Sequence, residues 1–174
     1  MTHRPDFVDG PPDAVGGFDV HATRSVAADV SDVFAFLADL ENHWLLADRF
    51  VEVVELAGPA RARTGGRVRV RGPFGLHRTA TISIDPARPM NEVRGSAELS
   101  GGTVARVRWL LRPVDQHTVV TLGATIEEAR RLDRVLLRAG GLAWMGKRFE
   151  GALEALEDSL APVLPTARSP GSRA

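Results

Sequence analysis

The 174-residue chain contains no cysteine, no tyrosine and a single lysine, Lys147. Without cysteine there is no disulfide, no thiolate nucleophile and no zinc–thiolate centre. Without tyrosine there is no phenolic acid. Charge of one sign is also missing: 22 basic residues balance 22 acidic ones. The total therefore carries no nucleic-acid footprint and no polybasic membrane address. No apolar run approaches the roughly 20 residues that a membrane-spanning helix needs. The opening residues hold Pro5, Pro11 and Pro12 among acids in place of an apolar signal core, so a cytoplasmic location is expected. The five histidines, at 3, 21, 43, 77 and 117, lack metal-ligand spacing, and neither a metal nor another cofactor is predicted. Gly141 to Lys147 reads G-x-x-x-x-G-K, but Arg148 stands where a phosphate loop needs Ser or Thr, and the run lies within a helical pattern. Nucleophile-elbow and dinucleotide fingerprints are absent.

What is present is a core: 44% of the chain is hydrophobic, enough for one domain. Residues 1–16 and 162–174 are rich in proline, glycine and small polar residues and read as flexible tails around a single domain over 17–161. Phe18, Val20, Ala22 and Val26 alternate with polar neighbours as a strand does, with Arg24 interrupting the apolar face. Ser31 is placed to cap a helix from Asp32 to about Leu40, whose stripe is Val33, Phe34, Phe36, Leu37 and Leu40. A second short helix follows from Glu41 to Ala47. Six strands come next, at 50–56, 67–71, 76–84, 91–98, 104–112 and 118–126, separated by short connections full of Gly, Pro and Asp. Such connections favour consecutive hairpins and an antiparallel sheet. From about Glu127 to Leu160 one long helix is expected, with Leu132, Val135, Leu136, Leu142, Phe149, Leu153 and Leu156 on its buried stripe.

The order β-α-α-β6-α, with "SVAADVSDVFAFLADLENHW" near the start and "RFEGALEALEDSL" at the end, resembles the START-like (SRPBCC) superfamily. That group includes the helix-grip fold of Bet v 1-type allergens, bacterial polyketide cyclase/dehydrases and coenzyme Q-binding proteins. The resemblance implies an α+β helix-grip fold, in which a curved antiparallel sheet wraps a long C-terminal helix and leaves an internal cavity.

Strand parity indicates which side chains enter such a cavity. Arg67, Arg69 and Arg71 share a face opposite Val68 and Val70, and Arg106, Arg108 and Arg112 lie opposite Trp109, so these arginines point outward and Trp109 inward. Trp109 is then either core or a ligand platform. Arg78 shares parity with Leu76, Ala80, Ile82 and Ile84. A guanidinium there needs a ligand oxygen, an internal carboxylate or a route to solvent. His43 and Trp44 fall three and four residues beyond Leu40 and return to the buried side, as packing residues or at a cavity mouth.

These residues support a first expectation: a small hydrophobic ligand (lipid, quinone or polyketide-like) bound by Trp44, Arg78, Trp109, Met145 and Phe149. The alternative is an aromatase/cyclase-type enzyme using Arg78 and His43, for which His43 needs Glu41 or Asp39 within reach. Trp144 lies off the long helix's stripe. Either Gly140-Gly141 breaks the helix, or a bare indole faces solvent and a homodimer through Trp144 covers it.

Overall fold

Hairpin follows hairpin along most of the chain, because the apolar alternating segments are separated by short connections, most of which carry glycine or proline. The computed structural model describes residues 18–47, 50–58, 64–86 and 90–161, so both expected tails lie outside the described residues. Seven strands form one antiparallel sheet: β1 (Val20–Val26), β2 (Val51–Ala57), β3 (Gly65–Arg71), β4 (His77–Pro86), β5 (Glu92–Leu99), β6 (Thr103–Val114) and β7 (His117–Glu128). Their order is β1-β7-β6-β5-β4-β3-β2, so β1 and β2 are the edges. Every one of the six expected strands is present, most of them a residue or more longer than the sequence pattern suggested. β2 carries a register shift between Val53 and Glu55 where it pairs with β3.

Two short helices, α1 (Val30–Leu37) and α2 (Leu40–Ala47), join β1 to β2. The expected Ser31 cap is not the one used. Asp29 occupies the cap position in extended conformation, its carbonyl accepts from the N–H groups of Asp32 and Val33, and Ser31 is inside the first turn. The carboxylate of Asp39 accepts from the N–H of Glu41 and opens α2.

The expected single long helix is two. α3 (Arg131–Leu136) and α4 (Leu142–Leu160) flank a distorted turn, Leu137–Gly141, in which Ala139 and Gly140 leave helical geometry. Gly140 has φ of 120°, a left-handed conformation that glycine adopts without a Cβ clash. The reset in phase changes which residues face inward. Leu132 and Val135, expected on the buried stripe, are 63% and 62% exposed, while Asp133 between them is buried. Below the break the stripe holds, and Phe149, Ala152, Leu153 and Leu156 pack on Ala22, Val26, Val120 and Leu122 of β1 and β7. α4 packs closely on β1, with Gly146 beside Val20.

Candidate functional site

The sheet curves away from α4 on the side of β2 to β5, and side chains from the two layers do not meet there. The space between them is a cavity of about 340 Å³. Its walls are apolar side chains on the inward parity of the strands, including Val68, Val70, Ile82, Ile84, Leu99 and Val107, with α2, α3 and the start of α4 opposite. All five residues expected to contact a ligand, Trp44, Arg78, Trp109, Met145 and Phe149, lie on this wall, as does His43. Parity placed the outward arginines too: Arg67, Arg69, Arg71, Arg106 and Arg112 are exposed. Arg108 is half-buried on the outer face, where it pairs with Glu92 and sits 5.5 Å from the centroid of the Phe18 ring. Phe18 in turn covers Gly123, where any Cβ would collide with its ring.

The segment Glu41-Asn42-His43-Trp44 ties the helical corner together. The last carbonyls of a helix have no partner of their own. Asn42 Nδ2 donates to the Phe36 carbonyl at 2.9 Å, and the His43 ring Nε2 donates to the Leu37 carbonyl at 2.7 Å, so α2 satisfies the end of α1. The expected carboxylate partner of His43 is therefore replaced by a main-chain oxygen. Burial pushes the His43 pKa below its ordinary value, against the opposing pull of the Leu37 hydrogen bond and of Asp39, so the ring is neutral and its Nε2 carries the proton. Trp109 meets it edge-on, with centroids 5.8 Å apart.

Arg78 has the internal partner among the readings its position allowed. Nη1 donates to Asp133 Oδ2 at 2.8 Å and Nη2 to Oδ1 at 2.7 Å, a bidentate pair across the end of the cavity. The Thr103 hydroxyl also donates to Oδ2. Burial alone would raise the Asp133 pKa. The Thr103 hydroxyl and the Arg78 guanidinium, with Arg130 farther off, outweigh it and hold the carboxyl below its ordinary value. Asp133 thereby explains the inverted polarity of α3: its inward face carries the counter-ion of Arg78. The carboxylate lies 55 positions from Arg78 in the chain, so no local pattern in the sequence marks the pair.

The break at Gly140 also places Trp144. Its ring lies on the cavity wall, edge-on to Phe50 with centroids 6.1 Å apart and under the Arg148 guanidinium at 5.2 Å. The bare indole that motivated a homodimer is not there. All three tryptophans of the chain line the cavity. The Trp44 Nε1–H is enclosed and has no hydrogen-bond partner among the described residues, a deficit of about 1–3 kcal/mol for a buried donor. Arg24, the other cation on an apolar face, reaches Glu154 and Glu157 on α4. Among the described residues no cluster of His, Asp and Glu is arranged to hold a metal ion.

A family model described as "Polyketide cyclase / dehydrase and lipid transport" matches residues 17–164. The chain belongs to this family. No curated protein matches it by sequence. Among solved structures, a protein of Thermus thermophilus is 23% identical over 80% of this chain and 94% of its own, with a TM-score of 0.57. A START superfamily protein from Mycobacterium smegmatis is 16% identical over the same shares, also at 0.57. DynU16, from the dynemicin biosynthetic locus, is 18% identical over 81% of this chain but 46% of its own, at 0.52. Likeness at these identities establishes the START-like helix-grip fold that the family shares. No helix among the described residues is long and apolar enough to cross a membrane.

Proposed function

We propose that the protein binds a small, largely apolar molecule in the cavity between sheet and C-terminal helix. The observation that carries this reading is the cavity itself, about 340 Å³ with walls of aliphatic and aromatic side chains, a size at the lower end of ligand sites. A guest that buries about 200 Å² of apolar surface gains about 5 kcal/mol. That is comparable with the cost of association, so shape and one polar contact decide affinity. Because Arg78 is matched by Asp133 and Arg94 by Glu92, neither arginine on the described cavity wall is free for a carboxylate, which favours a neutral guest.

Native mass spectrometry of the freshly purified protein is expected to show a co-purified apolar species. Titration with the neutral dye N-phenyl-1-naphthylamine is expected to quench tryptophan emission, since every indole lines the cavity. No bound species and no quenching would rule the reading out.

A second reading, an aromatase/cyclase-type enzyme in the same cavity, draws on His43, a neutral imidazole in an apolar wall. Under that reading His43→Gln abolishes turnover of a poly-ketone substrate while dye affinity stays within about twofold. Under simple binding there is no turnover to lose.

A further inference from the structure

We propose that the outer face of α3 docks on the surface of an anionic phospholipid membrane. The zero net charge of the whole chain hides a local excess at this helix. Arg131, Arg134 and Arg138 are all exposed, and Leu132 and Val135 beside them are 63% and 62% exposed. At about 100° per residue Arg131 and Arg134 occupy one side of the outward face of α3 and the two aliphatic residues the adjoining side, with Arg138 following in the distorted turn. The inward face is taken by Asp133, which is turned to Arg78.

Two of the three carboxylates in residues 127–138 have arginine partners from elsewhere: Asp133 pairs with Arg78 and Glu127 with Arg106. Glu128 remains in that stretch, and Asp19 lies beside Arg134 and Arg138 in a surface hollow, against the four exposed arginines Arg130, Arg131, Arg134 and Arg138. Leu76, 41% exposed, lies on the cavity wall two residues from Arg78, the partner of Asp133. Exposed aliphatic groups next to snorkelling arginines match the boundary between phosphate headgroups and acyl chains. Charge attraction alone would satisfy the arginines but leave Leu132 and Val135 in water. The proposal does not depend on what the cavity binds. It does imply that the helix walling one end of the cavity would rest against lipid.

The test is vesicle flotation at about 0.15 M salt with the full chain, using phosphatidylcholine alone and phosphatidylcholine with 30% phosphatidylglycerol. About tenfold more protein is expected to float with the anionic vesicles. R131E/R138E and L132S/V135S should each return it to the level of phosphatidylcholine alone, with far-UV circular dichroism confirming that both variants fold. Because the chain has no cysteine, Leu132→Cys and His117→Cys offer single labelling sites for an environment-sensitive nitrobenzoxadiazole dye. Dye at 132 should shift to the blue on anionic vesicles, and dye at 117, at the start of β7 and the opposite end of that strand from α3, should not. Equal flotation with both vesicle types, or binding without a shift at 132, overturns the proposal; the latter outcome indicates charge attraction alone, as to an acidic protein.

Discussion

The two halves of the sheet are built from similar side chains and end differently. On the β1–β7–β6 side, Val26, Val33, Leu37, Val120, Leu153 and Leu156 are all 1% exposed or less, and α1 and α4 fill the concave face. On the β2–β5 side, Val68, Ala80 and Val93 are buried as deeply, but Val70, Ile82, Ile84 and Leu99, of the same inward parity, stay half-buried around the cavity. Hydrophobic content does not decide between a filled and an unfilled interior. The second layer does: one half is faced by continuous helix with small residues for close approach, the other by the α2 corner and the broken turn before α4.

The sharpest way to break this comparison is a matched truncation. Leu153→Ala should cost about 2–5 kcal/mol in urea denaturation. Met145→Ala, on the cavity wall, should cost less than half as much, because one side of Met145 already lacks neighbours. Equal losses would mean that the halves are packed alike. A matched enlargement runs the other way. Ala22→Leu, in the filled half, should destabilise by about 1–3 kcal/mol through overpacking, while Ala97→Leu should fit within about 1 kcal/mol and abolish N-phenyl-1-naphthylamine binding.

The smallest effect is in the pH dependence, and it belongs to the cavity half. His43 has a folded pKa below its ordinary 6.5, so the unfolded chain takes up the proton first. The stability associated with the neutral ring is present above about pH 6.5 and drains as pH falls below it. Asp133, held below its ordinary 3.8, contributes stability that is present above that value and lost as pH falls through the folded one. Melting temperatures of His43→Gln should therefore fall less than wild type between pH 7.5 and 5.5, and those of Asp133→Asn less than wild type between pH 5 and 3.

Much of this division is legible in the sequence alone. Period-2 alternation locates the strands and turns Trp109 inward and the β3 arginines outward, because a strand has two faces and one of them must be wet. Helical spacing returns His43 and Trp44 to the interior. The end of the cavity at Arg78 is not legible, since the glycine pair reads equally as a break or as continuous helix, and the polarity of α3 makes sense only once Asp133 meets an arginine from β4. Leu132 and Val135 are misplaced for the same reason: a periodic stripe assumes a single phase, and Gly140 ends it.

An open sheet also has raw rims, and this one has its more vulnerable rim at β2, where Val53 and Val54 are exposed and the outermost strand has no second neighbour. The irregular register at Val53 and Glu55 spoils a ladder that an incoming chain would need to copy, and Glu52 and Glu55 would place like charges against a second copy of the same strand. The short stretch from Glu52 to Glu55, next to Val51 on the cavity wall, thus works against edge-to-edge stacking of folded chains.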